Sequence, residues 1–308
     1  MAIVKTDAPM TSELCTEIIR ELAKAYPFFR VRELTTTAFG RPVWAVEVGE
    51  GDRHVLYSAA HHANEWITTP IMLKFLEQLG EAAQSGGTLY GVPAETILNY
   101  STLHIVPMVN PDGVDLVTGA LPEDTYPYQK AETMAEFYPN IPFPEGWKAN
   151  LLGVDLNLQY PTGWLQAREI KFSQGYTRPG PRDFVGRAPL NQRESLALAQ
   201  YTEEVDPALV LAYHSQGKVI YWQFEDIEVP GARELGEEFA RVSGYILDDT
   251  PYESSFAGYK DWFIKTYRRP GYTIEVGSGE NPLPIEQFDE IYRDNLGILV
   301  TAATGLPG

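Results

Sequence analysis

The sequence predicts an α/β fold, a single domain built on a mixed, mostly parallel twisted sheet flanked by helices. Two observations carry that expectation. Short apolar runs alternate along the chain with segments whose apolar residues recur at helical spacing, the pattern of strands joined through helices. Three of the runs, His54–Ala60, Thr102–Val109 and Leu209–His214, are apolar almost throughout, as strands covered on both faces should be. The 308 residues are 44% hydrophobic and 21% charged, ordinary globular values. No internal repeat, low-complexity tract or Gly/Ser linker divides them, so one domain spanning 1–308 is expected.

Taken in order, Thr11-Ser12 can cap a helix with Leu14, Ile18, Ile19 and Leu22 at helical spacing, ending before Pro27. Strands are expected at Val31–Thr37 and Val43–Val48, separated by the turn Gly40-Arg41-Pro42. The strand His54–Ala60 follows, then a helix over Thr69–Ala83 with Ile71, Leu73, Phe75, Leu76 and Leu79 inward. Thr102–Val109 reads as a strand broken by Pro107 and closed by the turn Asn110-Pro111-Asp112-Gly113. Residues 119–189 are rich in Pro, Gly, Tyr and Trp, with little periodicity, and read as one long surface excursion shaping a cleft. Loops of that length in a compact domain usually serve function. Regular structure resumes with a helix over Gln192–Glu204, strands at Leu209–His214 and Val219–Phe224, and a helix at Ala232–Val242. A short helix near Tyr259–Tyr267, a strand at Tyr272–Val276 and a helix from Pro284 to about Ala303 complete the series.

Charge excludes several classes of function. Lys and Arg number 24 against 42 Asp and Glu, a formal net charge of −18. Such a chain is repelled by nucleic acid and anionic membranes unless basic residues cluster, and no run exceeds Arg268-Arg269. No stretch reaches the ~18 apolar residues a membrane helix needs. The single cysteine, Cys15, forbids an internal disulfide, and the N-terminal segment lacks a basic-then-apolar leader. A cytoplasmic protein is the expectation.

Only five histidines are present. His62-Ala-Asn-Glu65 follows a buried strand, where ligand sites gather in open α/β sheets, and residues three apart on a helical turn share a face. Alone the pair is weak, since five histidines give roughly 0.45 chance matches to His-x-x-Glu. His214 strengthens it by ending another apolar strand before the turn Ser215-Gln216-Gly217. Two His and one Glu with an open position form a catalytic zinc set, which lowers the pKa of a bound water to ~7 and polarises a carbonyl. Glu275 lies within the apolar strand Tyr272–Val276, where a buried carboxylate must be paired, neutralised or functional. Lys148, in Gly146-Trp-Lys-Ala-Asn150, is one of several lysines able to stabilise an oxyanion.

Together these segments resemble the zinc metallocarboxypeptidases typified by carboxypeptidase A, from about Pro27 to Ala303. The metal motif is matched by His62-Ala-Asn-Glu65-Trp66-Ile67, and the Asn-Pro-Asp-Gly motif by Asn110–Gly113. Gly153-Val-Asp-Leu-Asn157, His214-Ser215, Asp261-Trp262 and Glu275 follow in the family's order. The resemblance implies a carboxypeptidase A-like fold and one Zn(2+) per chain held by His62, Glu65 and His214. It implies Glu275 as the base that takes a proton from the zinc-bound water and passes it to the leaving amine. Asp155 falls on the carboxylate that orients the first ligand His. Lys148 falls where the family usually has an Arg polarising the scissile carbonyl. Tyr252 falls near the family's mobile tyrosine, with Tyr259 competing for that place.

The departures bear on substrate. The family's Asn-Arg pair, which grips a terminal carboxylate, reads Asn157-Leu158 here, so Asn157 remains as a substrate-binding candidate without the Arg. Leu cannot form a charge-assisted bidentate bond, and ordinary C-terminal trimming should be weak. The runs His61–Thr68 and Pro181-Arg182-Asp183-Phe184 resemble the bacterial γ-D-glutamyl–diaminopimelate (or γ-D-glutamyl–L-diamino acid) endopeptidases. That subgroup implies a muropeptide or small-peptide substrate, with Arg182 the candidate partner for a diaminopimelate carboxylate. The competing readings are a broader carboxypeptidase, a zinc N-acyl amino acid deacylase, and a metal-free binding module.

Overall fold

The computed structural model describes residues 2–305. Helix α1 (Ser12–Ala25) starts where the Thr11 hydroxyl accepts from the Leu14 amide, and it buries Cys15, Ile18, Ile19 and Leu22. Strands β1 (Arg30–Thr36), β2 (Pro42–Val48) and β3 (Arg53–Ala59) follow, then α2 (Thr68–Ser85). A small hairpin of β4 (Thr88–Leu89) and β5 (Val92–Pro93) leads to α3 (Ala94–Tyr100) and β6 (Ser101–Val106). After α4 (Pro111–Val117), α5 (Tyr126–Ala135) and α6 (Trp164–Ser173) come α7 (Arg193–Val205), β7 (Leu209–Ser215) and β8 (Val219–Tyr221). The remainder is α8 (Ala232–Ser243), β9 (Ile246–Asp248), α9 (Tyr259–Tyr267), β10 (Gly271–Val276) and α10 (Phe288–Thr304).

Eight strands form one sheet in the order β1-β2-β6-β3-β7-β10-β8-β9. The centre, β6-β3-β7-β10, is parallel, whereas β1-β2, β2-β6 and β10-β8 are antiparallel. Side chains alternate across it with the two-residue period of a strand. Leu209, Leu211 and Tyr213 of β7 face the core under α1, α2, α8 and α10, while Val210 and Ala212 face α7 and α9. That alternation covers both faces of the central strands and explains their nearly continuous apolar sequence.

The expected elements recur with shifted ends, and three expectations need correction. Strand β6 stops at Val106, and Asn110–Gly113 opens α4, its Asn110 side chain accepting from the Gly113 amide. Segment 119–189 is no bare excursion. It holds α5, α6 and a satellite core in which Trp147 and Ala149 pack with Ala131, Ala135 and Leu116. Those helices bury too few apolar residues to show a periodic stripe, α5 only Ala131 and Ala135. The third correction is β8, which ends at Tyr221 rather than Phe224. Helix α3, the β4–β5 hairpin and β9 are short, and their sequences carried no expectation. No helix among the described residues is long and apolar enough to cross a membrane.

Candidate active site

The parallel centre brings the C-terminal ends of β3, β6, β7 and β10 to one edge, and a cleft of about 770 Å³ opens there. Past β3 the chain enters a 3₁₀ turn over Ala63–Glu65 with His62 at its cap, which sets His62 and Glu65 side by side. His62 Nδ1 lies 2.9 Å from Glu65 Oε1. At the end of β7, His214 Nδ1 lies 2.9 Å from Glu65 Oε2 and 3.2 Å from His62 Nδ1. All three residues are buried, and their candidate ligand atoms lie within 4.8 Å of one another.

Chemistry of the donors argues that a cation belongs between them. His62 Nε2 is 3.2 Å from Asp155 Oδ1, so its proton is best placed there, leaving the Nδ1 lone pair towards Glu65. Two acceptors 2.9 Å apart repel unless a positive charge separates them. Burial opposes protonation of His62, yet Glu65 and then Asp155 outweigh it and push its pKa up to about 9. Either a proton or a metal ion answers that demand, and two imidazoles with one carboxylate form the donor set of a catalytic zinc site. The residues therefore fit a zinc ion.

Asp155 is tightly held. Its Oδ1 also accepts from the Asn157 amide at 3.0 Å, and its Oδ2 accepts from the Asp183 amide at 3.3 Å. Burial works against its charge, but His62, followed by Lys148 and Lys171, keeps its pKa well below the usual carboxylate range. Lys148 Nζ lies 3.1 Å from Glu65 Oε1. Its main chain joins the same knot, the Lys148 carbonyl accepting from the Ala63 amide at 2.9 Å.

Glu275 stands beside His214 in the parallel register of β10 and β7. Tyr272, Ile274 and Val276 occupy the other face in the large core, so Glu275 projects to the same side as His214. Burial, reinforced by the Glu65 carboxylate, pushes its pKa up to about 8.

Other candidates take more specific places. Arg182 lines the cleft, with its Nε 2.6 Å from Asp183 Oδ2, while Asp183 Oδ1 is 2.8 Å from Lys171 Nζ. The terminal nitrogens of Arg182 make no protein hydrogen bond among the described residues. Asn157 lines the cleft as well, and its Oδ1 accepts from the Tyr259 amide at 3.0 Å. Leu158 is buried with Trp164, Val185 and Phe256, so no cation stands at its position. The structure does not bring Tyr252 into the site. It is 69% exposed, in a 3₁₀ turn outside the cleft lining, with its ring edge-on to Phe256. Tyr259 is fully buried, its hydroxyl 2.8 Å from that of Thr202, so it offers no free phenol either.

The roles of two residues escaped the sequence reading. Asn110 is fully buried and donates to the carbonyls of His61 at 3.1 Å and Ala149 at 3.0 Å, tying the ligand turn to the Lys148 loop. Gly113 permits that approach, because a Cβ there would lie 2.6 Å from the Ala149 carbonyl oxygen. Lys260, buried beside Asp261, also lines the cleft. A lysine directly before the Asp-Trp pair, in the first turn of α9, was the available signal.

Comparison with known proteins agrees with this geometry. Residues 15–297 match the family model described as zinc carboxypeptidase. The chain is 44% identical over 282 residues to γ-D-glutamyl-L-diamino acid endopeptidase 1 of Lysinibacillus sphaericus, covering 92% of this chain and 69% of that protein. Bovine thrombin-activatable fibrinolysis inhibitor shares the fold at a TM-score of 0.74 and 15% identity, covering 97% of both chains. Carboxypeptidase A of Helicoverpa armigera does so at 0.71 and 18%, covering 97% of this chain and 75% of that one. With a carboxypeptidase A-like fold and a matching family model over most of its length, the chain belongs to the zinc carboxypeptidase family.

Proposed function

We propose that this chain hydrolyses the γ-D-glutamyl–diamino acid amide bond of small peptides derived from peptidoglycan, with one zinc ion held by His62, Glu65 and His214. The observation that carries the hydrolytic part is the convergence of those three buried side chains with Glu275 beside them. The substrate class is supported by the Lysinibacillus sphaericus relative, whose name states that activity. It is also supported by Leu158, which offers no charge to grip the end of an ordinary peptide.

A zinc ion bound there supplies Lewis acidity, polarising the scissile carbonyl and acidifying a water. The chain's own residues do the rest. Asp155 accepts a hydrogen bond from the Nε2–H of His62 and so fixes which nitrogen would face the ion. Glu275 accepts a proton from the attacking water on its carboxylate and hands it to the leaving nitrogen as the amide breaks. Lys148 places positive charge where the carbonyl oxygen becomes negative. Arg182 offers its terminal nitrogens, and Asn157 its amide, to polar groups of the substrate. Tyr252 receives no role. Action in the cytoplasm on fragments already released from the wall completes the proposal, supported by the single cysteine and the acidic balance.

Incubation with L-Ala-γ-D-Glu-diaminopimelate tests the reading. Free diaminopimelate should appear, disappear with a chelator and return with zinc. Release of C-terminal residues from ordinary peptides, with that tripeptide untouched, would establish the broader carboxypeptidase instead.

A further inference from the structure

Helix α6 buries only three residues, Trp164, Ala167 and Lys171. Their spacing of three and then four places them on one stripe of the helix, so a lysine stands where an apolar residue would complete the contact. Lys171 is 9% exposed, a degree of burial that lysine rarely reaches unless it is paired. Trp164 opens the stripe by donating its Nε1–H to the Val185 carbonyl at 3.1 Å. Lys171 closes it, with Nζ 2.8 Å from Asp183 Oδ1. The helix thus grips segment 183–185 at two points, and Lys171, Arg182 and Asp183 all line the cleft.

Asp183 is the second irregularity. Its φ of 64° lies in the left-handed region, which glycine occupies freely and aspartate only at a cost. Burial and then Asp155 resist its ionisation, but Arg182 and Lys171 hold its pKa below the usual carboxylate value. The two carboxylate oxygens are divided between those cations, Oδ1 facing Lys171 and Oδ2 accepting from Arg182 Nε at 2.6 Å. The main chain here is fixed independently. The Pro181 carbonyl accepts from the Lys148 and Ala149 amides at 2.7 and 2.9 Å, and the Phe184 carbonyl from the Asp155 amide at 2.9 Å. What Lys171 and Asp183 add is therefore control of the Arg182 side chain. A guanidinium can meet a carboxylate through two parallel N–H bonds, and Lys171 denies Asp183 that fork by occupying its other oxygen.

We propose that Lys171 and Asp183 are positioning residues for substrate binding, together holding Arg182 by Nε alone so that its terminal nitrogens are left for a carboxylate of the substrate. The inference rests on the binding role given to Arg182 above and deepens it by naming what keeps that residue competent. Without Lys171, the Asp183 carboxylate turns to Arg182 through both oxygens and competes with substrate for the same nitrogens.

Kinetics of the zinc-loaded enzyme on L-Ala-γ-D-Glu-meso-diaminopimelate test this. Lys171→Met should raise KM about as much as Arg182→Ala does, roughly tenfold, with kcat within about twofold and zinc per chain unchanged. Lys171→Arg should stay within about threefold of the wild type. Asp183→Asn, which loses the anchor but also the competing charge, should raise KM only about threefold. The double variant Lys171→Met/Asp183→Asn should match Asp183→Asn, a recovery that a merely structural ion pair would not give. Neither change should alter KM by more than about twofold in an Arg182→Ala background. Should Lys171→Met not fold, Asp183→Asn with and without Arg182→Ala decides the matter. An unchanged KM, a rise that persists without Arg182, or a kcat loss that follows zinc loss overturns the inference while leaving the hydrolytic reading intact. No hydrolysis of the peptide by the wild type would remove the proposed function itself.

Discussion

Glu275 is held where burial and a neighbouring carboxylate both resist its ionisation, pushing its pKa up to about 8. A base must be ionised to accept a proton, so activity should rise as pH rises through its pKa. A divalent cation among His62, Glu65 and His214 stabilises the charged form. The acid limb of kcat/KM in the zinc enzyme should therefore lie below pH 8, and a limb at or above 8 would contradict this. Glu275→Gln should keep its zinc, measured per chain, yet lose several orders of magnitude in kcat. Near-normal turnover would mean that another residue is the base. Arg182→Ala should raise KM for the diaminopimelate peptide about tenfold, the loss of one charge-assisted contact. An unchanged KM would remove Arg182 from substrate binding. The legible residues here were those whose chemistry clashes with their surroundings: Glu275 in an apolar strand, and histidines at the ends of buried strands. Asn110 carried no such clash, since its partners come from segments remote in sequence.

Between elements, polar knots set the geometry. Asn110 joins the turn after β3 to the loop carrying Lys148, and its replacement leaves the buried carbonyls of His61 and Ala149 without this donor. Asn110→Ala should cost about 3 kcal/mol of stability and lower kcat, checked by urea unfolding beside kinetics. A stability loss with kcat intact would show that the knot does not place Lys148. On the face of the sheet covered by α7, His104 of β6 lies 2.9 Å from His54 of β3 and 2.8 Å from the Tyr201 hydroxyl of α7. Burial lowers its pKa to about 4, with Glu47 opposing and His54 and Arg30 assisting. The unfolded chain, with histidine near 6.5, then binds more protons than the folded one between about pH 6.5 and 4. Stability should fall as pH drops through that window, by on the order of 3 kcal/mol, and His104→Gln should flatten the fall. A window unchanged in that variant would place the titration elsewhere. Long elements with a periodic apolar face, α1 and α2, were legible to within a few residues. Helices α5 and α6 were not, because they rest on a few alanines and one tryptophan rather than on a stripe.

At the scale of the whole molecule, the net charge of −18 opposes approach of an anionic peptide, so binding must rely on cations gathered locally. Raising salt shortens the Debye length from about 30 Å at 0.01 M to about 8 Å at 0.15 M and screens the distant field first. kcat/KM for the diaminopimelate peptide should therefore increase over that range. A decrease would mean that Lys148 and Arg182 dominate even the encounter.

Chain order adds a constraint of time. Glu65 and His214 are 149 residues apart, and strands β3 and β7 that carry the chain to them are direct neighbours in the sheet. At roughly 5–20 residues per second, a ribosome takes on the order of ten seconds to supply the second half of that pair. Contacts so distant in sequence also form slowly once available. During synthesis, His62 and Glu65 stand without their third partner, a two-donor fragment with little hold on a metal. Metal capture then follows closure of the parallel centre, so a nascent chain released before β7 would carry the most recognisable motif in the sequence and retain no ion.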